Sequence, residues 1–456
     1  MYKNQFLSLI LFALPCALSG QTAAGPTYRF FTNLGNIDVT LTPSAAPNTV
    51  ANFLNYVNSG AYNNTLIHRS VPGFVIQGGG FQYQNGAIVT TPTNAPIANE
   101  FNVSNTTGTI AMALPTGNPN GATSQWFFNC ANNGTNGNAL DSQLFTVFGN
   151  VTTLTNSTSL KVMNAINNLG TQDCSGDGGV CTLTTATNST NSAFTNLPVS
   201  AGNYVLVTSI QQVPVLTAPG FLSSASFASS SLTGISPGEI VAIFGQGMGP
   251  STPVIATITN GALPTTLAGV QVTFNGKPAP LYFVSAGQIN VIAPASFSTL
   301  PSVDVVVTYN NVASNQLVFP VRPANPAIFT QNGSGSGDGI IFESNYSLVT
   351  PSKAASVGDN LFLYGEGYGL ATPSTTLADG AIVGSTPPFP VPNDPNTVLL
   401  IDGQAVPTQY FGGAPGLANG VLQVNFQVPQ LKPGSHQIQL QVGSRTSPTG
   451  VTFSTK

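Results

Sequence analysis

A chain of 456 residues has room for about three domains. Only 5% of its residues are charged, its net charge is −4 and apolar residues reach 41%. It lacks the basic stripe that nucleic acid or an anionic bilayer demands, and it is too apolar for a disordered chain, which leaves a turn-rich β protein with a neutral polar surface of Gly, Pro, Asn, Ser and Thr.

The first 22 residues read as a signal peptide. Lys3 supplies the positive start, Phe6 to Leu14 is an apolar run too short to span a bilayer, and Ala17, Ser19 and Gly20 are small enough for a cleavage site. Cys16 raises the alternative of a lipid anchor, but Pro15 precedes it where a small residue is wanted. No later segment is long and apolar enough to serve as a transmembrane anchor. The expectation is an exported protein, periplasmic or extracellular.

Residues 26–213 form the first expected unit. Two runs of β-formers flank Asn33-Leu34-Gly35, a hairpin pattern. Pro47, Asn48 and Thr49 open a helix whose apolar stripe is Val50, Phe53, Leu54 and Val57, and Gly60 ends it. A second helix is predicted from Ser159 to Leu169, with Leu160, Met163 and Ile166 facing inward. The run from Asn203 reads as a closing strand. Strands with two isolated helices suggest a barrel whose ends the helices plug. Cys174 and Cys181 bracket a glycine-rich loop. In an exported protein they read as a disulfide. Zinc is the alternative, but it wants four ligands and no His lies near. Cys130 follows the apolar run Trp126-Phe127-Phe128 and reads as a core thiol.

The rest of the chain repeats itself. The segment from Ile235 matches that from Ala355, the one from Val270 matches that from Val398, and the one from Val303 matches that from His436. Each copy has several short strands with turn signals between them, the pattern of a β-sandwich. The expected division is a linker at 214–231, a module at 232–323 and a second at 324–456. The glycine-rich pieces at 244–250 and 364–370 lack the Lys-Ser/Thr of a phosphate loop and read as strand-ending turns.

Between Arg29 and Lys161 the one permanently charged base is Arg69. Among Val, Phe and Ile an arginine is costly unless something holds it. The residue pattern leaves two readings open: a structural arginine bonded to carbonyls or to Glu100, or a functional one. His68 is next to it and by strand alternation should point to the opposite face, as a structural residue. Trp126 should likewise face the core, opposite Phe127.

Four motifs in order carry a resemblance: the stretch from Asn33 through HRSVPGFVIQGGG (68–80), IANEFNVSNTTGTIAMA from Ile97, SQWFFN from Ser124, and LDSQLFTVFGNV from Leu140. Together they resemble the cyclophilin family of peptidyl-prolyl cis–trans isomerases, over about 185 residues. The resemblance implies a mainly β fold, with an eight-stranded antiparallel barrel and two capping helices. It also implies catalytic Arg69 with Phe74 and Gln77. Substrate would be held by Met112, Phe127 and Leu140 as a proline-ring pocket, by Ala113 and Leu114 as an edge segment for substrate backbone, and by Gln125 as a polar wall. Phe145 stands where the family often has a histidine, so it can wall the pocket but plays no polar part. Ala139 stands where many eukaryotic members have tryptophan. The implied substrates are proline-containing polypeptides, with no cofactor, no metal and no nucleic acid. The tail, 232–456, resembles bacterial Ig-like modules of the IPT/TIG kind, with an unidentified surface or protein ligand. The functional expectation is isomerisation of X–Pro bonds in exported proteins. The alternative is a peptide-binding or cell-surface adhesion protein without turnover.

Overall fold

The computed structural model describes residues 25–135, 139–152, 158–175, 193–372 and 378–456. The leader and Cys181, and with it the expected Cys174–Cys181 bridge, lie outside the described residues. The described chain divides after Val213 into two compact units.

In the first unit the strands are β1 (Thr27–Thr32), β2 (Gly35–Leu41), β3 (Thr65–Val71), β4 (Val75–Gln84), β5 (Ala87–Thr90), β6 (Thr109–Met112), β7 (Trp126–Asn129) and β8 (Val147–Val151). Three short strands, β9 (Thr171–Gln172), β10 (Leu197–Ser200) and β11 (Asn203–Tyr204), make a small separate sheet before β12 (Leu206–Gln212). The order β3-β12-β1-β2-β8-β6-β7-β4 is closed by pairing of β3 with β4, giving an eight-stranded antiparallel barrel with β5 on the far end of β4. Closure leaves the barrel no free edge to aggregate through. Alternation sets its two faces. Phe30, Ile37, Val39 and Leu41 point in, with Trp126 and Phe128, while Arg29 and Asp38 pair across β1 and β2 on the outside at 2.7 Å.

Two helices pack on the barrel, α1 (Pro47–Asn58) and α2 (Ser159–Asn167). Val50 and Phe53 of α1 and Met163 and Ile166 of α2 are buried in the same core. Leu160, expected to face inward, is exposed. It sits in the first turn of α2, where its neighbour Ser159 is the buried residue, its hydroxyl accepting the Asp38 N–H at 2.8 Å. Helix α1 has Pro47 in its first turn and no capping side chain of its own. Glu100 caps it from outside: its carboxylate accepts the N–H groups of Asn48 (3.0 Å) and Thr49 (2.8 Å). Free amides at a helix start favour an anion there. Glu100 is therefore not the partner of Arg69 that the sequence allowed.

The second unit holds two pairs of stacked sheets. In the first pair, one sheet runs 215–223, 240–246, 288–292, 281–284, 254–255, and the other is built on 270–274 and 302–309. Val241, Ile243, Ile289 and Val291 from one meet Val270, Val272, Val303 and Val305 from the other in a common core. The second pair is built on 360–366 with 422–427 and on 397–401 with 434–442, and Leu361, Leu363 and Val424 meet Leu399, Ile438 and Leu440. The sequence repeat has a structural counterpart. Ser236 N–H donates to Glu239 in one copy and Ser356 N–H to Asp359 in the other, at 2.8 and 2.7 Å. The stretch 214–231 is not a linker. Val215–Ser223 is a strand paired with Ile240–Gln246, and Leu216 and Phe221 are buried in the first core. Its small residues disguised two apolar anchors. Among the described residues, no helix is long and apolar enough to cross a membrane.

Candidate active site

The site grows from the β3–β4 hairpin. Pro72, Gly73 and Phe74 make the turn, and Arg69 stands opposite Gln77 in the ladder. The guanidinium carbon of Arg69 lies 5.9 Å from the centre of the Phe74 ring, within reach of cation–π attraction. Arg69 is half-buried, and burial draws its pKa below the ordinary arginine value. Among the described residues it joins no ion pair. A guanidinium still holds its proton under such conditions, so the site carries a positive charge with no counter-charge among the described residues.

Gln77 donates through Nε2 to Oε1 of Gln125 at 2.8 Å. Gln125 is fixed in turn by its own backbone, whose carbonyl accepts the Ala113 N–H at 2.9 Å. The glycine run after Gln77 makes room for this wall: a Cβ on Gly78 would stand 2.7 Å from the Trp126 ring, and one on Gly80 2.9 Å from the Gln125 side chain. Arg69, Phe74, Gln77 and Gln125 are thus brought together.

Beside them lies an apolar cluster separate from the barrel core. Val75, Ala111, Phe127, Leu140 and Val147 are its buried floor, and Phe74, Ala113, Val103 and Phe145 are its partly exposed rim. Phe127 and Phe145 meet edge to face at 5.5 Å. Of the expected pocket residues, Phe127, Leu140, Phe145 and Ala113 fall here. Met112 does not: it is fully buried in the barrel core with Trp126 and Phe30. Alternation along β6 explains the correction, because Ala111 and Ala113 face the cluster and Met112 the opposite side. Leu114 also packs its side chain on the barrel core, not on this cluster. The walls that sequence reasoning missed are Val75, Ala111, Val147 and Val103. The same alternation, counted from Ala113 and Phe127, would have found Ala111.

His68 is buried, as expected of a structural residue, and meets Phe81 edge to face at 5.0 Å. Simple alternation fails around it, since the ladder register shifts between Ile67 and Arg69. Burial first, then the charge of Arg69, push its pKa down to about 4, against hydrogen bonds from the Leu66 backbone and the Gln125 side chain that favour the charged form. His68 is therefore neutral at pH 7. Cys130 is a free thiol, only partly buried and packed at the margin of the barrel core rather than within it; burial still pushes its pKa up to about 12, which keeps it a poor nucleophile.

A family model described as cyclophilin type peptidyl-prolyl cis-trans isomerase/CLD matches residues 27–182. A peptidyl-prolyl cis-trans isomerase of Acinetobacter baylyi is 43% identical over 137 residues, 29% of this chain and 70% of its own length. Peptidyl-prolyl cis-trans isomerase A of Dickeya dadantii is 46% identical over 104 residues, 22% of this chain and 53% of its own. Peptidyl-prolyl cis-trans isomerase B of Escherichia coli is 46% identical over 106 residues, 23% of this chain and 62% of its own. The aligned part thus spans between about half and 70% of these relatives.

Proposed function

Because the chain belongs to the cyclophilin-type peptidyl-prolyl cis–trans isomerases, we propose that its barrel rotates X–Pro bonds of polypeptide substrates, with Arg69 as the catalytic donor. The observation that carries this reading is the unpaired guanidinium beside an apolar cluster with a partly exposed rim.

The chemistry needs no bond cleavage. Amide resonance sets a barrier near 18–20 kcal/mol, and the spontaneous X–Pro reaction takes tens to hundreds of seconds. Twisting the bond returns the lone pair to the proline nitrogen. A guanidinium N–H directed at that nitrogen binds the twisted amide better than the planar one, which is the condition for catalysis. Phe127, Leu140, Val75 and Phe145 grip the ring, while Gln77, steadied by Gln125, holds the carbonyl side. Anchoring both ends confines the motion to the bond between them.

The substrates are proline-containing segments of exported proteins, reached after the leader at 1–22 directs this chain out of the cytoplasm. The two stacked-sheet bodies of the second unit are Ig-like modules, which serve as spacer or docking elements. Alternating burial along strands such as 270–274 and 434–442 supports that assignment.

The test is a proline-peptide isomerisation assay on the full chain. Arg69→Ala should lower kcat/KM by about 10²–10³, the usual effect of removing one preorganised donor. Since a half-buried cation with no counter-charge gives the fold little, its melting temperature should stay level or rise. Full activity in Arg69→Ala would overturn the mechanism. Peptide binding with background rates in the unaltered chain would favour a recognition module instead. Cell fractionation checks the export reading, which fails if the protein stays in the cytoplasm.

A further inference from the structure

Two buried asparagines outside the β3–β4 hairpin converge on its turn. Asn167, the last residue of α2, is 3% exposed. Its Oδ1 accepts the Gly73 N–H at 2.9 Å. Its Nδ2 faces Val71 O at 2.9 Å, Val75 O at 3.3 Å and Ser70 Oγ at 3.3 Å. One amide thus engages nearly every residue between Arg69 and Phe74. From the other side, Asn133 is 1% exposed and donates through Nδ2 to Phe74 O at 2.9 Å, an oxygen that also accepts the Cys130 N–H at 2.8 Å. The carbonyl of Asn133 accepts the Leu140 N–H at 3.0 Å. Asn133 therefore ties the Phe74 rim to the Leu140 floor of the same apolar cluster.

We propose that Asn167 and Asn133 are positioning residues for the isomerase site, fixing the distance and angle between the Arg69 guanidinium and the ring-binding cluster. This rests on the isomerase reading above. The physical reason is local. The turn Pro72-Gly73 is exposed and Phe74 only partly buried, so packing alone does not fix it. Gly73 sits at φ 68°, open on its Cβ side, and gains from an outside acceptor that selects one conformation. Among the described residues Arg69 finds no carboxylate to orient it, so its placement depends on the backbone from which it hangs. Displacing a catalytic group by about 1 Å can cost about 10²-fold in rate; loosening one of two clamps should cost less.

The test uses the full chain with Asn167→Ala, Asn133→Ala, the double variant and Asn164→Ala, an exposed control on α2. Well below the melting temperature, each single variant should lower kcat/KM by about tenfold. The fall should lie mainly in kcat, because the ring pocket survives while the guanidinium wanders. The control should be unchanged. The double variant should lose less than the product of the singles, since both clamps act on one turn. In proton–nitrogen spectra the Gly73 and Phe74 amides and the Arg69 side-chain N–H should shift and broaden in Asn167→Ala. A folded Asn167→Ala with unaltered kcat/KM and an unshifted Arg69 signal would overturn the proposal, leaving the asparagine a purely structural bond. Should the unaltered chain itself show no turnover, the isomerase reading fails instead, and the Arg69 signal still decides whether the turn depends on Asn167.

Discussion

Replacing Glu366 by Gln should destabilise the C-terminal unit and flatten its response to pH. Glu366 is fully buried. Its Oε1 accepts Ser223 Oγ–H (2.7 Å) and the Ala225 N–H (2.9 Å), and its Oε2 accepts Ser224 Oγ–H (2.8 Å) and the Ile240 N–H (3.1 Å). Glu239, also buried, lies near enough to raise its own pKa further through the charge of Glu366. Neither carboxylate joins an ion pair among the described residues, and the ionisable neighbours Tyr282 and Tyr368 are held neutral. Burial therefore lifts Glu366 from 4.5 to about 7, against the pull of its four donors. A pKa raised by folding gives stability that is complete below the unfolded value and is lost as pH rises through the folded one. At about 1.4 kcal/mol per pH unit, Glu366 alone accounts for about 3 kcal/mol between pH 4.5 and 7. In Glu366→Gln the amide must turn its NH2 toward either Ala225 N–H or Ile240 N–H, leaving a buried donor unmet at about 1–3 kcal/mol. Differential scanning calorimetry is the assay. The only tryptophan is Trp126, so its fluorescence follows the barrel and identifies which transition belongs to the other unit. For a body of this size about 3 kcal/mol moves the melting point by about 6–12 °C. The unaltered unit should melt at least that much lower at pH 8 than at pH 5, since Glu239, raised to about 8 by burial and the Glu366 charge, adds a loss of the same sign, while Glu366→Gln should melt lower at pH 5 and fall less steeply. Equal slopes in the two proteins would falsify the account, because His436 titrates in both, while Glu366→Gln removes both the Glu366 titration and the charge that helps raise Glu239.

Met112→Ala should lower barrel stability by about 2–5 kcal/mol, as core truncations do, yet leave kcat/KM per folded molecule unchanged; a selective loss of peptide binding would return Met112 to the pocket. His68 should stay neutral down to about pH 4, so its ring signals in a proton–carbon titration should not move between pH 8 and 5.5. His436 Nδ1 meets Asp402 Oδ2 at 2.6 Å. Burial lowers its pKa, but the Asp402 and Lys432 bonds outweigh this and raise it overall. The pair's contribution is thus present below the ordinary histidine value and lost as pH rises past the raised one. Asp402→Asn should move the His436 titration to lower pH, and an unmoved midpoint would show that the carboxylate is not its cause.

The barrel was legible because its signals are local. Hairpin residues around Gly35, the apolar stripe of α1 and the motif run from His68 to Gly80 each declare their structure within a dozen residues. What escaped involves partners distant in the chain or a break in period. Met112 was assigned by type and motif when its face was set by alternation. His68 lies at a register shift that no two-residue period foretells. Leu160 kept the helical spacing of Met163 and Ile166, but at a helix start the neighbouring Ser159 found a buried partner 121 residues away in Asp38. The reading of 214–231 as a linker weighed its Ser, Ala and Pro over Leu216 and Phe221. Glu366 left one trace: the aligned repeat has Gln246 where the second copy has Glu366. The donors that receive it come from Ser223 to Ile240, over a hundred residues earlier.

Charge poverty is what joins the composition to the chemistry. In the barrel unit the described carboxylates are Asp38, Glu100, Asp141 and Asp173. Asp38 is taken by Arg29, Glu100 by the start of α1, Asp141 by Ser104 and Asn105, and Asp173 by Ser175. None remains for Arg69. In an ordinary domain, with about a quarter of its residues charged, a half-buried arginine would find a carboxylate, and that partner would absorb both its orientation and its field. Here the tasks are divided. Neutral amides from Asn133 and Asn167 fix the turn beside Arg69, and Gln125 steadies Gln77, which leaves the guanidinium's charge unspent. A cation held by neutral groups in a partly desolvated site keeps its full attraction for a lone pair, and the lone pair in question exists only while the peptide bond is twisted.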